Sequence, residues 1–334
     1  MKRGLVIGKF MPMHQGHVTL LEHASSHCDL LTIVVCSMDE EPISGEQRVT
    51  WIRQQCPHAR IQWLHREMPQ EPQDEHDDRF WDIWRKELKH LHPEKVHRVF
   101  GSEPYILRLA EEMDGAEPCI FDIKREQVPI SGSAIRRSPY DYWEFIPKIV
   151  RPYYVKRVLI TGPESCGKTT LAQRLAEIWN TTWTPEYARE YIDIELNQVM
   201  DHLTPEDLTV IAKRHYEQEH YAWLNGHHVT FSDTCAIETE VYANEFFGHV
   251  DPFIKSLIQP ERYHLALLMK PDIPWEADPQ RNLEDRRQEF YGKFKEKLEE
   301  YRIPYVEVGG LWEERIGNAS VQIHQLMREI NSCE

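Results

Sequence analysis

Gly162-Pro163-Glu164-Ser165-Cys166-Gly167-Lys168-Thr169 reads G-x-x-x-x-G-K-T, with Thr170 next. In this spacing the backbone N–H groups of the loop can cradle phosphate oxygens. The Lys168 ammonium reaches the terminal phosphates and the Thr169 hydroxyl is placed to ligate Mg²⁺. The flanks suit that use. Residues 155–160 form a short apolar run, and residues 170–176 carry apolar side chains at helical spacing, so phosphates would sit at a helix N-terminus. Farther on, residues 228–234 read as a strand ending at Asp233. A carboxylate there meets Mg²⁺ directly or through water; Asp233 could equally accept the proton of a nucleoside hydroxyl.

A second phosphate chemistry stands near the N-terminus. The strand-like Gly4–Gly8 runs into Gly8-Lys9-Phe10-Met11-Pro12-Met13-His14-Gln15-Gly16-His17, and helical periodicity follows. His14 and His17 are three apart and so share a helix face. Two imidazoles at a helix N-terminus can stabilise charge that develops on a nucleotide during attack at its α-phosphorus. Zinc is the other use of such a pair, but no H-E-x-x-H or Cys pair supplies further ligands. In Ile130-Ser131-Gly132-Ser133-Ala134-Ile135-Arg136, either serine can cap a helix, and Arg136 can present its planar fork to phosphate oxygens.

The elements that must hold these groups alternate. Residues 30–36, 60–64 and 95–101 read as strands, and 46–55 and 80–91 as helices, with a Pro-containing acidic loop at 69–78. The second half repeats the theme, with strands at 228–234, 263–269 and 305–310. Thr204-Pro205-Glu206-Asp207 starts a helix, and a closing helix follows to about residue 330. Such alternation implies parallel α/β sheets with ligands at the carboxyl ends of the strands. The 334 residues suggest two domains of about 150 residues each. The expected boundaries are 1–146 and 156–334, with an ordered, aromatic linker at 147–155. A net charge of −16 argues against a nucleic-acid-binding surface. The scattered cysteines form no C-x-x-C, so reduced thiols in a cytoplasm are expected. Leu5-Val6-Ile7 is too short for a signal-peptide core, and no run is long enough to span a membrane. Homo-oligomerisation is left open.

Taken together, G-x-F-x-P-x-H-x-G-H at Gly8–His17, I-S-G-S-x-x-R at Ile130–Arg136 and a P-loop half behind them resemble the bifunctional nicotinamide mononucleotide adenylyltransferase/ribosylnicotinamide kinases. The likeness covers nearly the whole chain. It implies a Rossmann-like nucleotidyltransferase domain followed by a P-loop NTPase-type kinase domain, with ATP as substrate at both sites and Mg²⁺ serving each. Gly8, Lys9, Phe10, His14, His17, Ser131, Ser133 and Arg136 would then hold ATP for adenylyl transfer. Ser133 stands where the family often has Thr, and the hydroxyl is kept. Trp81 and Trp84, with Trp143 behind them, are the surfaces on which nicotinamide would stack, although core filling would account for them equally. The resemblance puts the nucleoside ribose near Glu186, with Arg189 facing phosphate; a salt-bridged helix start is the alternative. Arg281 and Arg287 would belong to a lid closing over ATP. Longer members begin with a helix-turn-helix repressor module, which is expected to be absent here. Two other readings stay open: the same fusion acting on another vitamin precursor, and an ATP- or NAD-sensing regulator with weakened catalysis.

Overall fold

The computed structural model describes residues 1–71, 77–280 and 283–328; in it the apolar runs of the sequence are parallel strands joined by crossover helices. Two units separate along the chain, Met1–Arg151 and Pro152–Glu334. A short helix runs over Arg151–Tyr154.

The first unit contains β1 (Arg3–Gly8), α1 (Gln15–Ser26), β2 (Leu30–Ser37), α2 (Gly45–Gln55), β3 (Arg60–His65), α3 (Asp78–Leu91), β4 (Arg98–Gly101), α4 (Ile106–Glu112), β5 (Glu117–Ile120) and α5 (Gly132–Arg137); α6 (Arg151–Tyr154) crosses the boundary. The sheet order is β3-β2-β1-β4-β5, all parallel. Helices cover both faces, which is why Leu31, Ile33, Val34 and Val35 of β2 are all buried. The winding reverses at β1, so a crevice opens where β1 and β4 end.

The second unit contains β6 (Lys156–Thr161), α7 (Lys168–Ile178), β7 (Trp183–Thr184), α8 (Tyr187–Ile194), α9 (Pro205–Asn225), β8 (Val229–Asp233), α10 (Ala236–Phe247), α11 (Pro252–Leu257), β9 (Leu265–Met269), α12 (Arg287–Glu300), β10 (Tyr305–Val308) and α13 (Trp312–Arg328). Its order is β10-β9-β6-β8-β7, again parallel, with the reversal at β6. Ile160 pairs with Asp233, so the end of β8 lies beside the start of the P-loop. The core on one face of this sheet runs through Ile160, Leu171, Leu175, Phe231, Leu267 and Ile323. Strands β5 and β7 and helix α4 carry no strong signal in the sequence: both strands are short edges, and Glu117, Pro118 and Ile120 of β5 are exposed. Residues 72–76 of the acidic loop lie outside the described residues. Among the described residues no helix is long and apolar enough to cross a membrane.

Two candidate phosphate-transfer sites

In the first unit, β1 hands over to a turn in which Phe10 takes φ 49°, a region bulky side chains seldom occupy. The buried Phe10 ring meets the His17 ring edge-on, centroids 5.0 Å apart. His14 caps α1 with extended backbone, and its N–H donates to His17 Nδ1 at 3.2 Å. Neutral His17 must therefore carry its proton on Nε2, where it can donate to a ligand. The two rings stack, centroids 3.7 Å apart. Burial, then the Arg125 guanidinium, lowers His14 to about 4. Burial, then His14 and Arg125, lowers His17 as well.

The second motif docks onto this turn from α5. Ser131 Oγ accepts from the Ala134 N–H at 3.2 Å and lies 3.0 Å from Ser133 Oγ. A Cβ on Gly132 would stand 2.6 Å from the Met11 carbonyl oxygen, so only glycine lets α5 come this close. Arg136 Nη1 donates to that same Met11 carbonyl. His14, His17, Ser131, Ser133 and Arg136 are thus brought to one loop.

Beside it lies a mainly apolar cavity of about 380 Å³, walled by Leu64, Met68, Phe80, Trp81, Trp84 and Leu109. Gly8 and Lys9, expected among the ATP contacts, line this cavity. Trp81 is buried in the core and Trp84 packs against that core, its Nε1 donating to Pro69 O at 3.0 Å. Trp143 does not line the cavity; its ring lies under Arg151 at 5.4 Å. One buried group was missed by sequence reasoning. Arg48, fully enclosed, donates to Lys9 O at 3.0 Å, Cys36 O at 3.2 Å and the Glu41 carboxylate. Lys9 Nζ also meets Glu41, at 2.9 Å. Burial works against the Glu41 charge, but hydrogen bonds from Lys9 and Arg48 hold its carboxyl below the usual range. The available signal was an arginine on the Arg48-Val49-Ile52 face of α2, which is otherwise apolar.

In the second unit, Gly162 takes φ 139°, and a Cβ there would stand 2.8 Å from Met269 O, so the turn out of β6 demands glycine. The loop then closes on itself. Cys166 Sγ lies 2.9 Å from Pro163 O, and Lys168 Nζ donates to Gly162 O and Pro163 O at 2.9 Å each. Burial opposes the Lys168 charge, but Cys166, Glu186, Asp233 and Glu238 more than offset it and raise its pKa. Thr169 Oγ1 donates to Asp233 Oδ2 at 2.5 Å. Asp233 is fully enclosed, and its Oδ1 meets no donor among the described residues. Burial first and Glu186 next push its carboxyl up; Lys168 and Thr169 oppose them.

A cavity of about 440 Å³ opens from the loop, with Glu164, Ser165, Cys166, Gly167, Lys168, Thr169 and Thr170 along one side and Glu186 and Arg189 on its wall. Arg189 is taken up by an ion pair to Asp278 at 2.7 Å. Arg287 donates to Ser165 O and Ile273 O, both at 3.0 Å, and so touches the P-loop. Arg281 lies outside the described residues. Arg315, fully buried and not anticipated, donates to Cys166 O at 3.0 Å, Gly310 O at 2.9 Å and Lys270 O at 3.2 Å. It ties the P-loop to the ends of β9 and β10. Among the described residues no cluster of three or more His, Cys, Asp or Glu could hold a metal ion by itself.

A cytidylyltransferase-like family model matches residues 5–138, and an AAA domain model matches residues 157–315. The chain is 32% identical over 352 residues to the Trifunctional NAD biosynthesis/regulator protein NadR of Escherichia coli (strain K12), covering 98% of this chain and 83% of that protein. Over 158 residues it is 27% identical to the Nicotinamide-nucleotide adenylyltransferase of Methanocorpusculum labreanum, which takes in 45% of this chain and 88% of that one. A solved NadR structure, in complex with NAD and AMP-PNP, superposes with a TM-score of 0.77 at 24% identity, covering 98% of this chain and 96% of that chain. Both halves of the fold, in the same order and over nearly all the chain, follow this pattern, and the chain belongs to the NadR family of NAD biosynthesis/regulator proteins.

Proposed function

We propose that the second unit phosphorylates ribosylnicotinamide with ATP, and that the first transfers AMP from a second ATP to the resulting nicotinamide mononucleotide, giving NAD⁺ and pyrophosphate. The observation that carries this reading is one phosphate-gripping turn per unit, each at the switch point of its own parallel sheet and each beside its own cavity.

In the kinase unit the P-loop N–H groups and Lys168 hold the ATP phosphates. The nucleoside's 5′-oxygen attacks the γ-phosphorus, the bond to the β-phosphate oxygen breaks, ADP leaves, and the hydroxyl proton passes to solvent water as the new bond forms. Thr169 and Asp233 fit Mg²⁺: a hydroxyl and a carboxylate already touch, and the second carboxylate oxygen is enclosed without a donor among the described residues. When bound, Mg²⁺ neutralises charge on the phosphate oxygens. Glu186 orients the sugar, and Arg281 and Arg287 spread charge on the transferred phosphoryl group. Arg189, already paired to Asp278, contributes by shaping the cavity wall.

Adenylyl transfer asks less of the protein. The acceptor phosphate is already ionised, so its oxygen attacks the α-phosphorus and pyrophosphate departs without a base. His17 Nε2, His14, the two serines and Arg136 bind the triphosphate and meet the charge that grows on it. Trp81 and Trp84 take the nicotinamide ring, with Arg48 and Glu41 holding Lys9 and the cavity rim. We place both reactions in a cytoplasm, a compartment that keeps cysteines as thiols.

The test is a product assay with ATP, Mg²⁺ and either ribosylnicotinamide or the mononucleotide. NAD⁺ is expected from both. NAD⁺ from the mononucleotide alone would remove the kinase assignment, and none from either would remove both.

A further inference from the structure

Glu238 has no part in the scheme above. It is the third residue of α10, and its Oε2 accepts from the Cys235 N–H at 2.9 Å, an ordinary capping bond. Capping uses only one oxygen. Oε1 is enclosed and meets no donor among the described residues. Burial is the largest influence on this carboxyl and raises it to about 7, and the Thr161 hydroxyl at the end of β6 pulls the other way; in the geometry, Thr161 Oγ1 and Glu238 Oε1 are each without a hydrogen-bond partner among the described residues. Glu238 is 5% exposed and lines the P-loop cavity.

The rest of α10 gives the missing partner a shape. Tyr242 and Phe246 follow Glu238 at successive intervals of four, so all three share one face, and all three line the cavity. The two rings stack, centroids 5.7 Å apart. At 1.5 Å per residue this stripe is about 12 Å long, close to the length of a nucleoside. It begins beside the Asp233 end of β8 and Lys168, and it ends at Phe246, which is 37% exposed. P-loop, carboxylate and aromatic surface thus follow in the order of phosphoryl group, sugar and ring. An enclosed carboxylate oxygen without a donor is costly, and a ligand hydroxyl at that level would relieve the cost.

We propose that Glu238 is a specificity-determining residue of the kinase cavity, accepting a hydrogen bond from a 2′- or 3′-hydroxyl of the nucleoside and so selecting ribosides over deoxyribosides. The inference rests on the kinase reading. A site built to bond a hydroxyl rejects the analogue that lacks it, because its own polar group is then left unpaired.

The test measures phosphorylation of ribosylnicotinamide and of its 2′-deoxy and 3′-deoxy analogues by the full chain and by Glu238→Gln and Glu238→Ala. Glu238→Gln can keep the cap through its amide oxygen. The unsubstituted chain is expected to prefer the riboside to at least one analogue. Both variants should lose about 10- to 100-fold on the riboside, mainly in its KM, while the KM for ATP holds, and the preference should shrink. An unchanged preference in both variants would reduce Glu238 to a helix cap and overturn the inference. No phosphorylation of ribosylnicotinamide by the unsubstituted chain would overturn the kinase reading, and this inference with it.

Discussion

His14 and His17 are neutral at pH 7 because burial, their mutual contact and Arg125 all oppose a positive charge there. ATP reverses the balance, since phosphate oxygens favour an imidazolium. Binding ATP at this site near pH 6.5 should therefore take up protons, on the order of one per site. Calorimetry in buffers of different ionisation enthalpy reads that number, and an uptake of zero in both the unsubstituted chain and His14→Ala would contradict the placement of phosphate on these rings. The same shift acts on stability. The unfolded chain protonates His14 near 6.5 and the folded chain only at about 4. Between those values the unfolded state binds more protons, so stability contributed by the neutral ring is lost as pH falls, by about 3 kcal/mol if His14 alone is counted. Arg48 makes a second case. Removing it leaves Glu41 enclosed with Lys9 as its one charged partner among the described residues. Arg48→Met should cost about 3–5 kcal/mol in denaturant unfolding of the first unit, and the added change Glu41→Gln should recover part of that loss.

At the level of elements, the strand–turn–helix units around residues 8–17 and 162–170 were legible because their chemistry is local. A turn needing glycine, a capping residue and the start of an amphipathic helix are all written within ten positions. Arg48, Arg125, Arg315 and Glu238 were not legible for the opposite reason. Each reads in sequence as a helix or loop charge, and only the fold brings it against Lys9, the imidazoles, Cys166 or the P-loop cavity. Arg189 shows the converse: the resemblance implied a phosphate contact with a salt bridge as the alternative, and the fold pairs it with Asp278. The join between the two motifs of the first unit was only implied by their resemblance to a family. Physically it is the approach of α5 to the Met11 carbonyl, which Gly132 permits and Arg136 secures. Gly132→Ala should push α5 off that loop, since the added carbon meets backbone rather than a flexible side chain. Adenylyl transfer should fall at least about tenfold, the effect of moving phosphate-binding groups by about an ångström. Phosphorylation of ribosylnicotinamide should not change. Full adenylyl transfer by Gly132→Ala would mean that α5 does not need its close seat.

Across the whole molecule, the proposed function makes the two sites a series: the product of one is the acceptor of the other. A series makes unequal demands on its members, and substitutions should reveal its direction. Lys168→Ala removes the ammonium that crosses the P-loop mouth. It should lower NAD⁺ formation from ribosylnicotinamide by about 100-fold or more, the scale for losing a group that meets transition-state charge. NAD⁺ formation from the mononucleotide should stay as it was. His17→Ala removes a donor at the other turn, so NAD⁺ should fall from both starting compounds. Ribosylnicotinamide should then be converted only as far as the mononucleotide, which accumulates. The asymmetry follows from the order of the reactions and not from the strength of either site. Chromatography of the products from four assays, two variants on two substrates, is enough to read it. A folded Lys168→Ala protein unable to use the mononucleotide, or a folded His17→Ala protein unable to make it, would show that the two turns serve one reaction instead of two.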